Sequence, residues 1–293
     1  MNYERIAESE LIITSKGTIY HLDIAPEHLG DIIITVGSPD RVKEVSKHFD
    51  NIEHKAQHRE FITHTGTLAG RRISVISTGI GIGNIDIVFN EIDALVNIDF
   101  ATRTIKPHIK SLPIIRLGTC GALQADIPVD SLIVSSLGIG LDNLLLYYSL
   151  LSSAADASLL EAFNAHTGVG QQGVSPYIAP SSQDLAQRFT DGYFHGITVT
   201  CPGFYGPQGR ALRLTPALPS LIDQLATFRH GRHRITNFEM ETAAIYGMGS
   251  LLGHQCLSIS TAVANRASLT FSPDGDAAVE GMIKRSLEII AKF

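Results

Sequence analysis

The chain has 293 residues, of which 44% are hydrophobic and 18% charged, and its formal net charge is -6. A chain of this length can bury a substantial core, in one large domain or two small ones. The excess of acids argues against a general nucleic-acid-binding protein, which would carry a surplus of lysine and arginine.

Cysteine and histidine usage argues against a disulfide framework and against a metal site. The three cysteines are widely spaced and odd in number, and none of the twelve histidines has metal-ligand spacing. The N-terminal residues include acids where a signal peptide needs an apolar run, and no apolar run approaches the ~20 residues of a membrane helix. We therefore expect a cytoplasmic protein that does not associate with membranes.

The first third of the chain alternates predicted strands and helices. A β-branched run at residues 32–36 predicts a strand buried on both faces, and residues 37–41 lead from it into a helix with proline in its first turn. Residues 61–67 and 72–77 predict a hairpin. A glycine-rich loop then precedes a helix with an apolar stripe, within residues 78–96.

The rest of the chain continues the same alternation after one interruption. Residues 99–112 have mixed charge and a proline, and we interpret them as an irregular excursion. Further strands are predicted at residues 113–118, 131–137, 197–200 and 256–264. Helical structure is predicted within residues 144–163, from residue 242 onwards, and at residues 276–292. Strands that alternate with helices indicate an α/β fold with helices on the sheet faces, and nothing marks a linker, so one domain is expected over residues 1–293.

Three arginines lie close to predicted strand ends, where open α/β sheets bind ligands. Arg41 follows a loop whose backbone amides and helix N-terminus favour an anion. Arg116 lies inside an apolar strand, where an arginine must be paired or must face a ligand, and Gly118-Thr119 beside it offers donors for phosphate oxygens. For Arg41 and Arg59, taken singly, a solvated surface charge is the simpler interpretation.

Gly79, Gly81 and Gly83 invite comparison with a dinucleotide-binding loop. The third glycine comes one position early for that pattern, and a hairpin strand precedes the loop. Asp99 lies at the distance of a ribose-binding acid but does not end a predicted strand. A loop that approaches a smaller ligand, or a tight strand-to-helix turn, is the better interpretation, and no nucleotide cofactor is expected.

The loop at residues 202–210 combines an aromatic ring, an amide and a guanidinium, in Phe204, Gln208 and Arg210. Such a set suits a planar heterocycle with alternating carbonyl and N–H groups, although an exposed turn explains this segment equally well. Arg266, after the last predicted strand, adds another donor.

Two carboxylates, Glu239 and Glu241, flank Met240 just where a helical pattern begins. Acids in the first turn of a helix are favoured by the helix dipole, and that explanation suffices for this segment alone. The alternative is that Glu241 holds a ligand.

Taken together, these segments resemble the nucleoside phosphorylase superfamily, and most closely its uridine phosphorylases. Eight motifs follow the order of that family, at residues 20–22, 37–41, 58–61, 77–81, 115–122, 204–210, 237–241 and 265–266. The resemblance implies a three-layer α/β/α fold of the phosphorylase/hydrolase type, with a twisted mixed central sheet. It also makes the excursion at residues 99–112 an apparent insertion.

The resemblance implies a role for each matching residue. The phosphate ligands would be Gly37, Arg41, Arg59, Arg116 and Thr119, with Arg59 reaching into a neighbouring subunit. The ribose would contact Glu239, Met240, Glu241 and, from the neighbouring subunit, His21. The base would contact Phe204, Gln208, Arg210 and Arg266. Arg116, Arg210 and Glu241 would act most directly in catalysis.

The implied reaction is phosphorolysis of a pyrimidine nucleoside, uridine above all, by inorganic phosphate as co-substrate and without a cofactor. Purine-specific relatives carry an aspartate in the loop that here spans residues 262–266 without an acid, which favours a pyrimidine. The alternatives are a purine nucleoside phosphorylase or nucleosidase, or a non-catalytic nucleoside-binding protein. A shared site implies a homodimer or a hexamer built as a trimer of dimers, and some members hold a monovalent cation near the position of Glu60.

Three positions depart from the pattern of the family. Ser38 stands where the phosphate loop usually has an aspartate, and Cys120 replaces a usual threonine or serine. Asn84 replaces a serine of the cation site. These substitutions leave phosphate binding and the cation open at the level of sequence.

Overall fold

The computed structural model of the protein describes residues 4–150 and 153–293. The strands in these ranges are β1 (Ile32–Val36), β2 (Asn51–His58), β3 (Phe61–Leu68), β4 (Arg71–Ser77), β5 (Ile98–Asp99), β6 (Thr104–Ile105), β7 (Pro113–Ala122), β8 (Leu132–Gly140), β9 (Tyr177–Pro180), β10 (Tyr193–Thr200), β11 (Arg229–His230), β12 (His233–Glu239), β13 (Gln255–Asn265) and β14 (Thr270–Phe271). The α-helices are α1 (Pro39–Ser46), α2 (Ile82–Asn97), α3 (Ala154–Thr167), α4 (Gln183–Ala186), α5 (Leu221–Thr227), α6 (Thr242–Leu252) and α7 (Gly275–Ile290).

One large mixed sheet organises the fold. Its strand order is β11-β12-β10-β8-β13-β7-β1-β4-β3-β2, with β9 on β8 and β14 on β13. β4, β1, β7 and β13 run parallel to one another, as do β8, β10 and β12 in a second set. The two sets meet antiparallel at β13–β8 and again at β12–β7, so that five strands close into a ring.

Helices cover both faces of the sheet. Ile33 of β1 belongs to a core shared with α2 and α6, whereas its neighbours Ile32 and Ile34 belong to a core shared with α1 and α7. Successive residues of a strand point to opposite faces, so both faces of β1 are buried, as its unbroken β-branched sequence predicts. The predicted α/β/α fold with a mixed central sheet is confirmed.

Most predicted elements are confirmed, with boundaries that differ by a few residues, but the two longer strands β2 and β12 were missed, as were the short strands β5, β6, β9, β11 and β14. β2 and β12 have polar sequences, NIEHKAQH and HRITNFE, that lack the apolar runs used to recognise strands. β2 lies at the sheet edge with its residues half-buried or exposed, so burial does not demand apolar residues there. β12 is buried in its second half, where its polar side chains hydrogen-bond to other strands.

The excursion at residues 99–112 is less irregular than expected, because its first part forms a hairpin in which the two-residue strands β5 and β6 pair antiparallel. Within it, the buried guanidinium of Arg103 donates hydrogen bonds to the backbone oxygens of Ile6, Ala7 and Leu11. The segment therefore anchors residues near the N-terminus. That residues 99–112 are an insertion in a single domain stays a prediction.

Candidate active site

A cavity of ≈ 620 Å³ opens where several strands end. The loops after β1, β4, β10 and β12 contribute to it, together with the last residues of β7 and β13. Its lining includes predicted site residues from all three implied subsites: Gly37, Arg41, Arg116, Thr119, Phe204, Gln208, Arg210, Glu239, Met240 and Glu241. Ligand sites at strand ends are the rule in α/β sheets, and here chain topology alone brings these distant segments together.

A buried ion-pair cluster occupies the centre of the cavity wall. Arg116 Nη2 lies 2.5 Å from Glu241 Oε2 and 3.3 Å from Glu239 Oε2, and all three side chains are at most 7% exposed. Burial alone would lower the pKa of Arg116, but the two carboxylates raise it above its usual value. The cluster therefore holds one permanent positive charge between two acids.

Gly118 makes room for this arginine. A Cβ atom at position 118 would overlap the Arg116 guanidinium, so any other residue would displace it. Arg116 Nη1 also lies 3.3 Å from Ser260 Oγ on the parallel strand β13. The glycine two residues after Arg116 thus leaves the space in which the arginine side chain lies along its own strand and reaches the cavity.

Glu239 supports the start of α6 and is buried beneath it. Its carboxylate accepts hydrogen bonds from the N–H groups of Glu241 and Thr242 and from Thr200 Oγ1 at 2.7 Å. The helix begins at Thr242, so Glu239, and not Glu241, accepts from its first N–H group, and Thr200 Oγ1 accepts from the next, that of Ala243. Burial raises the pKa of Glu239, while Arg116 opposes that shift.

Glu241 is left free to project into the cavity from the position before α6. Its Oε1 accepts a hydrogen bond from the N–H of Gly81 at 2.7 Å, and Oε2 accepts from Arg116. Gly79 and Gly81 have φ values of 72° and 93°, which favour glycine and turn the loop towards Glu241. The glycine-rich loop is thus a tight strand-to-helix turn beside the cavity, one of the two interpretations that the sequence left open.

The side of the cavity formed by the loop after β1 is positively charged. Arg41 Nη1 lies 3.5 Å from the backbone oxygen of Leu117, and Gly37 and Thr119 line the same side. Burial and, secondly, the charge of Arg116 lower the pKa of Arg41. An arginine whose charge is disfavoured in this way gains from an anion bound beside it.

A second cluster, formed by Phe204, Gln208, Arg210 and Arg266, lies at the ends of β10 and β13, and three strands separate β10 from β1 in the sheet. Arg210 Nη1 donates to Gln208 Oε1 at 2.6 Å, and the guanidinium carbon lies 3.8 Å from the centre of the Phe204 ring. Arg266 Nη1 donates to the backbone oxygen of Gln208 at 3.0 Å, although Arg266 does not itself line the cavity. Gln208 is buried, and its Oε1 is occupied by Arg210, so the amide N–H₂ is the group left for a ligand.

His21 and Arg59 are not among the residues that line this cavity. His21 Nδ1 is hydrogen-bonded to Glu91, and Arg59 is exposed, with its guanidinium carbon 6.0 Å from the centre of the Tyr20 ring. His21 lies in the segment before β1, and Arg59 lies in the turn between β2 and β3. Their placement away from the cavity of their own chain is what the implied sharing between subunits requires, but the sharing itself stays a prediction.

Sequence reasoning missed several residues at the site. Val263, Ala264 and Phe271 line the cavity, and Glu91 holds His21. The first three belong to an apolar strand and its return strand, where nothing distinguishes a ligand contact from core packing. Glu91 could have been noticed, because it interrupts the apolar stripe of α2 with a charge that must be satisfied.

Cys120 lines the cavity, and we expect its thiol to be unreactive in the native protein. Burial raises its pKa to about 12, so the thiolate that reacts with alkylating agents is almost absent near neutral pH. Iodoacetamide should therefore label the native protein roughly a thousandfold more slowly than the urea-unfolded chain, measured by intact mass. Fast labelling that phosphate blocks would contradict this expectation and indicate a reactive cavity thiol.

None of the helices in residues 4–150 and 153–293 is long and apolar enough to cross a membrane. Within the same ranges, no group of three or more histidine, cysteine, aspartate or glutamate side chains is placed to hold a metal ion.

Comparison with known proteins gives one consistent family. The family model described as "Phosphorylase superfamily" matches residues 31–292. A uridine phosphorylase from Thermococcus kodakarensis is 28% identical over 294 residues, which cover 99% of this chain and 93% of the relative. A DeoD-type purine nucleoside phosphorylase from Myxococcus xanthus is 27% identical over 242 residues, which cover 82% of this chain and 83% of the relative.

A solved structure resembles the fold closely. It is the crystal structure of a Trypanosoma brucei nucleoside phosphorylase that shows uridine phosphorylase activity. The identity is 31% and the TM-score 0.88, with 96% of this chain and 98% of that chain covered.

Proposed function

Because the chain belongs to the phosphorylase superfamily, as the resemblance in its sequence predicted, we propose that it cleaves a pyrimidine nucleoside, uridine above all, by phosphorolysis. The products are the free base and ribose 1-phosphate, or its deoxy counterpart. The observation that carries the proposal is the Arg116–Glu241 pair, 2.5 Å apart, between an arginine-rich end and an aromatic-amide end of one cavity.

Phosphate binds at the end of the cavity lined by Gly37, Arg41, Arg116 and Thr119 in this proposal. Arginine suits this task because its planar fork binds two phosphate oxygens at once and stays protonated. Arg59 of the partner subunit adds a third guanidinium. Ser38, which replaces the usual aspartate, removes a negative charge from the loop after β1, and this is compatible with an anion site.

The ribose lies over Met240 and Glu241 in this proposal. A carboxylate is an acceptor only, so Glu241 recognises the 2′- and 3′-hydroxyls as donors. Arg116 and the N–H of Gly81 hold both oxygens of Glu241 in place. Glu239, predicted as a further ribose contact, contributes chiefly by fixing the N–H groups of residues 241 and 242.

The pyrimidine is recognised by Phe204, Gln208 and Arg210, with Arg266 behind Gln208. The free amide N–H₂ of Gln208 donates to a ring carbonyl, and Arg210 donates to another. Purine-specific relatives are expected to carry an acid in the segment where this chain has Ala262-Val263-Ala264-Asn265, which contains none. A pyrimidine leaving group, whose negative charge spreads onto its carbonyl oxygens, needs donors there and no acid.

The reaction requires no covalent intermediate with the protein. As the C1′–N1 bond lengthens, its electron pair moves to the base and positive charge develops on the sugar. An oxygen of hydrogenphosphate then bonds to C1′, and the proton that the phosphate gives up neutralises the departing base, directly or through water. Bound phosphate stabilises the positive sugar, and Arg210 and Gln208 stabilise the negative base, so positioning and electrostatics supply the rate.

The oligomer belongs to the same proposal. His21 and Arg59 can complete a site only in another subunit, which makes a homodimer the smallest active unit and a hexamer its natural extension. A monovalent cation between subunits would need more than the single carboxylate of Glu60, one oxygen of which already faces the Asn84 amide at 3.3 Å. It would therefore need Glu60 of the partner subunit as well. A cytoplasmic location is proposed on the three buried, unpaired cysteines.

A nucleoside panel tests the proposal. Purified protein should release uracil and ribose 1-phosphate from uridine in equal amounts, only when phosphate is present, with the base identified by chromatography. Cleavage of inosine or adenosine but not uridine would instead indicate a purine enzyme. Release of base without phosphate would indicate a nucleosidase, and calorimetric binding of uridine without turnover would indicate a binding protein.

A further inference from the structure

Glu91 is a buried carboxylate that the proposed reaction leaves unused. It lies on α2 between Val88 and Ile92, on the face that packs into the core, and is only 9% exposed. A carboxylate in such a place is costly unless hydrogen bonds satisfy it. The groups that satisfy it therefore indicate its role.

Among the residues that the structure describes, 4–150 and 153–293, the hydrogen bonds to Glu91 come from His21 and from the residue after it. The N–H of His21 lies 3.0 Å from Oε1 and 3.1 Å from Oε2, and the N–H of Leu22 donates to Oε2 at 2.8 Å. The ring nitrogen Nδ1 of His21 is 2.6 Å from Oε1. An ionised carboxylate can only accept, so Nδ1 carries a proton.

The other nitrogen of the ring points away from this contact. The ring packs edge-on against Tyr20, at 4.7 Å between centroids, and against Phe61 at 6.2 Å, which fixes its plane. Its side chain keeps 24% of its surface exposed, and Nε2 has no hydrogen-bond partner within residues 4–150 and 153–293. Nε2 is thus an oriented, accessible group at the surface of the subunit.

We propose that Glu91 is a positioning residue for His21. By holding the proton on Nδ1 and fixing the ring, it presents Nε2 as the nitrogen that meets the 5′-hydroxyl of a nucleoside bound in the neighbouring subunit. This rests on the proposed function, and specifically on a site shared between subunits. Histidines that act through one nitrogen commonly have the other held by a carboxylate in this way.

Glu91→Gln tests the proposal with little change in shape. The amide can still accept from the backbone N–H groups, but it loses the charge-assisted bond to Nδ1 and can offer that nitrogen a donor instead. The expected result is a loss of about tenfold in kcat/KM for uridine. For 5′-deoxyuridine, which lacks the hydroxyl that His21 meets, kcat/KM should stay within about twofold of wild type.

Matched variants separate positioning from a general structural role. In a His21→Ala background, Glu91→Gln should cost nothing more, because its effect passes through the ring. Asp86→Asn, the same change on the same helix at a carboxylate bonded to Tyr148, should leave both substrates unchanged. Should Glu91→Gln fail to fold, Glu91→Asp keeps the charge and is expected to show a smaller loss with the same selectivity.

Equal losses for uridine and 5′-deoxyuridine, or no loss for either, would overturn the assignment of Glu91 and leave phosphorolysis standing. A wild-type protein that releases no uracil from uridine would overturn the proposed function and this assignment with it. Uracil release by the wild-type protein thus distinguishes the two failures.

Discussion

Arg116→Ala is expected to reduce kcat/KM for phosphorolysis by at least about a thousandfold, the upper range for removal of one preorganised donor. Arg116 is the buried guanidinium that pairs with Glu241 and lines the proposed phosphate site, so its loss should affect both substrates. The KM for phosphate should rise more than the KM for uridine. Steady-state kinetics with each substrate varied in turn measures the effect.

The same change is expected to destabilise the fold by about 3 kcal/mol or more, because it leaves two buried carboxylates without their partner. Chemical denaturation measures that loss and must be done alongside the kinetics. Arg116→Lys keeps the charge but not the planar fork, so it should recover more of the stability than of the activity. Arg71→Ala truncates an exposed arginine and should change neither quantity noticeably. Activity within tenfold of wild type in folded Arg116→Ala would contradict the placement of phosphate.

Arg116 also illustrates how far sequence alone can lead. An arginine within an apolar strand must be paired or must face a ligand, and the structure shows Arg116 paired with Glu239 and Glu241 in the wall of a cavity. The type of residue and its local surroundings were enough for that inference. The identity of its partners was not, because they lie more than a hundred residues away along the chain.

The two acids at the start of α6 show the opposite case. The helix dipole explains one acid at this place, but the sequence could not tell which of the two carboxylates interacts with the helix N-terminus. The answer depends on Thr200 at the end of β10, which donates to Glu239 and so holds that carboxylate beneath the helix. This contact exists because β10 and β12 pair in parallel, with Thr200 opposite Glu239. β12 was not recognised as a strand, so that pairing was beyond sequence reasoning.

Residues of the proposed shared site were recognisable only through the resemblance. His21 and Arg59 have no local signal that distinguishes them from ordinary surface residues, and within one chain they lie outside the cavity. Glu91 had a local signal, a charge in an apolar stripe, but its partner is 70 residues away. Charged residues in apolar patterns therefore indicate where a contact must exist, and tertiary structure is needed to say with what.

Glu241→Ala is the second large effect, with an expected loss of about a hundredfold or more in kcat/KM for uridine. In the proposed reaction, Glu241 is the acceptor for the ribose hydroxyls. Its removal should cost less stability than loss of Arg116, because Glu239 remains 3.3 Å from the guanidinium and still compensates its charge. Glu241→Ala should therefore reduce activity strongly and stability only slightly, whereas Arg116→Ala should reduce both.

The decisive measurement for Glu241 is the pattern across substrates. Wild-type protein should prefer uridine over 2′-deoxyuridine and 3′-deoxyuridine, whereas Glu241→Ala should treat the three alike, because the group that distinguishes the hydroxyls is gone. Glu44→Ala removes an exposed carboxylate from α1 and should preserve the wild-type preference. If Glu241→Ala kept that preference, some other group must recognise the hydroxyls. If a folded Glu241→Ala protein loses both rate and the preference, ribose recognition lies at Glu241. The carboxylate of Glu241 is available for that role because Glu239 accepts from the first N–H group of α6.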